Sequence, residues 1–224
     1  MMKFGVLIGV LLISVCSGEY CYNDVEAACN ARPLTVDGMM ANCNAKYGGI
    51  DQLLVDLQKY ANANIETSFE YLLMSAHFGN YGVNREGFKG LYRKLSDRAW
   101  DNAIDVIKFI TKRGGKMNFN QAPRFEKNGK EHRVVEVSEL SSLAKALDTE
   151  KQMAREAIRI NEQAGHHPKF DASVAHYMEE KFMESQAETV RTLSGHTNDL
   201  KTLLTDNDAS LSVFLFDEYL KKTL

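Results

Sequence analysis

The chain has 224 residues, 44% of them hydrophobic and 25% charged, which is enough apolar material for one sizeable core and argues against a disordered or fully membrane-embedded chain. Lys and Arg number 27 against 30 Asp and Glu, for a net charge of −3; no basic domain is available to neutralise a phosphate backbone, which argues against a nucleic-acid partner. The three prolines, Pro33, Pro123 and Pro168, leave long stretches without a helix breaker, a pattern that favours long helices over a β-sandwich or barrel.

Lys3, the apolar run Phe4 to Val15 and the small-residue exit Cys16-Ser17-Gly18 have the layout of a secretory signal peptide over residues 1–18. The run is shorter than the roughly 20 residues needed to span a bilayer. The mature chain is therefore expected to be secreted, or held in the lumen of the secretory pathway, with no membrane partner. Cys16 leaves with the signal, and Cys21, Cys29 and Cys43 remain in an irregular extension over residues 19–49. An odd number of cysteines in an oxidising compartment allows one internal bridge and leaves a thiol, which points to a bond between chains. A buried free thiol is the alternative. The spacings fit no zinc finger.

From residue 50 the pattern turns helical. Leu53, Leu54, Leu57, Tyr60, Ala61, Ile65, Phe69, Leu72 and Leu73 recur at three- and four-residue spacing and predict a helix from Asp51 to about Phe78. Asn84 reads as the N-cap of a second helix, with Phe88, Leu91, Leu95, Ala99, Ala103, Ile107 and Ile110 on its inner face and Gly114-Gly115 as its stop. Lys116 to Val137 has no helical period and is read as a long crossover, with a short hairpin at Asn128-Gly129. Ser138 reads as the cap of a third helix, which ends before His166-His167-Pro168, and Asp171 as the cap of a fourth. After Asp206-Asn207-Asp208 a short fifth helix carries Leu211, Val213, Phe214, Leu215, Tyr219 and Leu220. The expected fold is all-α: a ferritin-like four-helix bundle over residues 50–224, with one long crossover and a short C-terminal helix.

Five strings in order carry a resemblance to the ferritin family: Phe69-Glu-Tyr-Leu-Leu-Met-Ser-Ala-His-Phe78, Lys112-Arg-Gly-Gly115, Ala146-Leu-Asp-Thr-Glu-Lys151, Leu193-Ser-Gly-His-Thr-Asn-Asp-Leu200 and Phe214-Leu-Phe-Asp217. Together with the leader and the cysteines, the chain resembles the secreted ferritins of insects. The resemblance implies a hollow 24-subunit shell built from copies of this chain and a heavy-type subunit. Fe²⁺ would enter that shell and be stored as an Fe³⁺ mineral.

A di-iron oxidation centre needs carboxylates and imidazole from facing helices, usually with a Glu-x-x-His pair. None of the six histidines has an acidic residue three positions before it. By the resemblance, the glutamate and histidine positions of an active chain fall here on Asn64, Arg98, Ala99 and Asn102, while Tyr71, Glu150 and Gln186 survive as a remnant. The expectation is a light-type subunit that is not an enzyme. Asp97, Asp101 and Asp105 share one stripe of the second helix and resemble a mineral-nucleation face, with Lys94 and Arg98 placed to pair with them; a plain solvated face is the alternative. His176 and Glu179 correspond to the lining of the family's three-fold iron channel. Two other readings stand beside this one: a ferroxidase with a displaced iron site near Glu150 and Gln186, and a secreted helical-bundle binding protein unrelated to iron.

Overall fold

A computed structural model describes residues 20–29, 42–123, 135–166, 168–206 and 208–223, with the backbone alone for residues 26–29 and for Asp206. The hairpin expected at Asn128-Gly129, and His167, lie outside the described residues. The chain divides into two compact units, residues 1–45 and 46–224. In the first, the irregular extension expected over residues 19–49 is corrected: the run CYNDVEAAC, without glycine or proline, forms helix α1 (Cys21–Cys29), which is tied by a disulfide from Cys21 to Cys43. The Asp24 carboxylate accepts hydrogen bonds from the backbone and side chain of Asn42 at 2.7 and 3.2 Å.

The second unit contains α2 (Ile50–Phe78), α3 (Glu86–Lys112), α4 (Glu139–Gly165), α5 (Ala172–Met178), α6 (Glu184–Asp206) and α7 (Ala209–Thr223). A π-turn over Glu179–Met183 joins α5 to α6 without a break, so the two form the fourth bundle helix. No strand occurs among the described residues. The boundaries follow local chemistry. Gly114 takes φ +75° past the end of α3, and the amides of Gly114 and Gly115 donate to Thr111 and Ile110 carbonyls at 3.1 and 2.9 Å, a glycine-based termination that satisfies the last carbonyls. The Asp171 carboxylate accepts from the Val174 amide and so caps α5. Ser138 occupies the N-cap of α4 with an extended backbone, although its hydroxyl makes no capping bond.

Two further expectations are corrected. Asn84 is not the cap of the second helix; it sits at φ +51° in the turn, a left-handed conformation that asparagine tolerates, and α3 starts after Arg85. On α2, Phe69, Leu72 and Leu73 point outward, 37–56% exposed, while Thr67, Ser68, Tyr71, Met74, Ser75 and Phe78 face inward. Helix α2 thus has two apolar faces, and hydrophobicity alone selects the wrong one along its second half.

Pairing distances fix the topology. Ser68 meets Ser96 and Ser75 meets Lys89, so α2 and α3 are antiparallel. Asp56 meets Arg159 and Tyr71 meets Glu150, so α4 is antiparallel to α2 and parallel to α3, as a long crossover permits. Helix α7 packs where α3 begins: the Phe88 amide donates to Asp217 Oδ1 at 3.0 Å, and a Cβ on Gly87 would lie 2.1 Å from the Asp217 carbonyl oxygen. The core falls into two apolar clusters. One centres on Leu57, Tyr60, Ile110, Met153 and Phe182, the other on Tyr71, Phe78, Phe88, Leu143, Leu193 and Phe216.

Candidate functional site

Between these clusters runs a belt of buried polar side chains supplied by all four bundle helices: Asn64, Thr67 and Ser68 from α2, Ser96 from α3, Thr149 and Glu150 from α4, and Gln186 and Thr189 from α6. Burying such groups is costly unless they are paired, so their partners define what the belt can do. Glu150, 4% exposed, is engaged at both carboxylate oxygens. The Tyr71 hydroxyl donates to Oε1 at 3.0 Å, and the Arg98 guanidinium stands 2.9 Å from Oε2. Arg98 also donates to the Thr189 hydroxyl. One carboxylate and one guanidinium neutralise each other at the centre of the bundle.

The remaining positions are filled by neutral groups. The Asn64 side chain turns back to donate to the Tyr60 carbonyl at 2.9 Å. Gln186 Nε2 donates to the Tyr60 hydroxyl at 2.7 Å, while Gln186 Oε1 and Thr67 Oγ1 are buried without a hydrogen-bond partner among the described residues. Ala99 is buried and Asn102 half-buried on α3. Burial holds the Tyr60 phenol well above its ordinary pKa, and burial followed by the nearby Glu150 charge does the same for Tyr71, so neither offers a phenolate ligand near neutral pH. Among the described residues no three His, Cys, Asp or Glu side chains converge as a metal-ligand cluster.

A ferritin-like domain model matches residues 54–203. The chain is 46% identical over 209 residues to a ferritin light chain of Drosophila melanogaster, covering 91% of this chain and 90% of that protein. It is 44% identical over 217 residues to a ferritin light chain of Trichoplusia ni, covering 93% and 92%. The crystal structure of Trichoplusia ni secreted ferritin superposes with a TM-score of 0.81 at 44% identity, over 91% of this chain and 99% of that one. The chain belongs to the ferritin family. A ferritin heavy chain of Drosophila melanogaster matches at 23% over 174 residues.

Within this ferritin the other expected sites are on the bundle surface. Asp97, Asp101 and Asp105 are exposed along α3. The pairing expected for them is corrected: Asp97 pairs with Arg93 at 2.9 Å, Asp105 lies 4.0 Å from Lys108, and Arg98 turns inward to Glu150. Asp101 and Lys94 have no ion-pair partner among the described residues. His176 is exposed, and its Nε2 stands 3.6 Å from the carboxylate of Glu180, one turn on; Glu179, also exposed, opens the π-turn. Cys21 is joined to Cys43 within the chain.

Sequence reasoning missed three contacts. The Tyr60–Gln186 and Arg98–Thr189 bonds join residues remote in sequence, and no local signal marks them. The buried Arg113–Asp171 pair, at 2.7 Å, joins a helix stop to a helix cap. Each end was visible in the sequence as punctuation, but their meeting was not.

Proposed function

We propose that this chain is a light-type ferritin subunit: it builds the wall of a secreted shell and supports growth of the ferric mineral without an oxidation centre of its own. The carrying observation is the engagement of both Glu150 oxygens by Arg98 and Tyr71. An iron entering here would have to displace a guanidinium and break a buried ion pair, and Asn64, Ala99 and Asn102 supply no carboxylate or imidazole in compensation. The partners are copies of this chain and a heavy-type subunit, 24 in all. The outward apolar side chains Phe69 and Leu73 of α2 and Leu211, Phe214 and Leu215 of α7, each more than half exposed, supply surface for subunit contacts.

In this reading residues 1–18 are a cleaved leader, 19–49 an extension and 50–224 the shell-forming bundle. With Cys21 and Cys43 joined to each other, Cys29 is the cysteine assigned to a bond between subunits. Fe²⁺ enters past His176 and Glu179, with Glu180 beside the imidazole. Fe³⁺ is nucleated on Asp97, Asp101 and Asp105, of which Asp101 has no competing cation among the described residues. The test is absorbance on Fe²⁺ addition to the purified particle. This chain alone should oxidise iron no faster than buffer, and co-assembly with a heavy-type subunit should give rapid oxidation. Fast oxidation by this chain alone, lost in Glu150→Ala, would replace this reading with that of a displaced ferroxidase site.

A further inference from the structure

Helices α3, α6 and α7 enclose a cavity of about 450 Å³ that opens to the surface, within the range of roughly 300–1,000 Å³ usual for small-molecule sites. Its floor is apolar, formed by Leu91, Leu95 and Leu193, each at most 6% exposed. His196 points into it. The imidazole is 9% exposed, packs edge-on to Phe216 and Tyr219 with ring centroids 5.9 and 6.0 Å away, and has no hydrogen-bond partner among the described residues. A buried polar group normally finds a partner, and this one faces open space.

The charges around the cavity are unequal in availability. Arg98 is neutralised by Glu150, and Glu188 is drawn to Arg191 at 3.5 Å. Lys94, exposed at the rim, has no ion-pair partner among the described residues. The cavity thus presents a leucine floor, one unpaired ammonium and one unpaired imidazole.

We propose that this cavity binds an amphipathic monocarboxylate of the medium-chain fatty-acid class. The chain lies over Leu91, Leu95 and Leu193, and the carboxylate accepts hydrogen bonds from Lys94 Nζ and from the imidazole N–H of His196. A single cation without an ion-pair partner among the described residues suits a monoanionic head better than a phosphate dianion. Apolar burial supplies most of the affinity, and the ammonium selects the anion over the corresponding alcohol. The assignment does not depend on iron chemistry and stands whether or not the chain oxidises iron.

The test is isothermal titration calorimetry of the purified particle with decanoate. Saturable binding at one decanoate per chain is expected, with decanol and butyrate each at least about tenfold weaker. Lys94→Gln, a change at an exposed residue, should weaken decanoate about tenfold and leave decanol unchanged. Thr192→Trp should fill the cavity and abolish binding while particle size and melting temperature stay those of the unmodified protein. Absence of saturable decanoate binding, decanol binding as tight as decanoate, or decanoate affinity unchanged in either variant would overturn the proposal.

Discussion

Glu150 sits at 4% exposure in the centre of the bundle, where an unpaired carboxylate would be strongly disfavoured. Arg98 supplies the countercharge, and Tyr71 satisfies the second oxygen. Removing one partner of a buried pair is far more damaging than removing both, because the survivor is left as an uncompensated charge. Arg98→Met should therefore lower the stability of the subunit by about 3 kcal/mol, and adding Glu150→Gln should return most of that loss. Urea midpoints of the two variants decide the matter. Equal midpoints for Arg98→Met and the unmodified chain would mean that Glu150 is held by other groups. The surviving residues of the belt were legible in the sequence because each matches a family position. The partner of Arg98 was not, since the choice between an inward carboxylate and the aspartates on its own helix depends on where α4 lies in space.

At the scale of elements, glycines and caps mark the ends of helices well. Gly114 stops α3 and Asp171 starts α5 where the sequence places them. The π-turn at Glu179–Met183 carries no breaker, so nothing in the residue pattern announces it. The outer face of α2 misleads for a physical reason: periodicity reports apolar residues, and an outward apolar stripe has the same period as an inward one. The docking of α7 is likewise a matter of tertiary contact. Its seat includes His196, whose imidazole burial pushes below the ordinary histidine range, with Asp199 on the same helix pulling the other way. The charged groups facing the same cavity are Lys94 and Arg98 from α3 and Glu188 from α6, with the Tyr219 hydroxyl contributed by α7.

A histidine that resists protonation when folded costs nothing while it is neutral in both states. As pH falls below about 6.5 the unfolded imidazole takes up a proton that the folded one resists. Stability then declines with falling pH and levels off below the folded pKa. Helix α7 should accordingly lose hydrogen-exchange protection over Ala209–Thr223 between pH 7 and pH 5, and His196→Gln should reduce that loss. An unchanged acid response in His196→Gln would place the sensitivity elsewhere.

For the whole molecule, the proposed light-type role places carboxylates in two settings. Inside the bundle, Glu150 is consumed by internal pairing. On the surface of α3, three aspartates at four-residue spacing stay exposed, and they differ in how tightly a cation already holds them: Asp97 by Arg93 at 2.9 Å, Asp105 by Lys108 at 4.0 Å, and Asp101 by no cation among the described residues. Exposed ion pairs are weak, but an incoming metal ion must still displace Arg93 from Asp97 and, to a smaller degree, Lys108 from Asp105 before it binds there. Nucleation strength should then follow the free oxygens. Asp101→Asn should lengthen the lag before mineral growth the most, Asp97→Asn the least, and the triple change Asp97→Asn, Asp101→Asn, Asp105→Asn more than any single one. Shell size and the oxidation rate supplied by a co-assembled heavy-type subunit should stay the same, because these residues lie outside the polar belt. Light scattering during ferric loading of co-assembled particles measures the lag directly. Equal lags across the series would make the stripe an ordinary solvated face and move the search for the nucleation surface to another part of the wall.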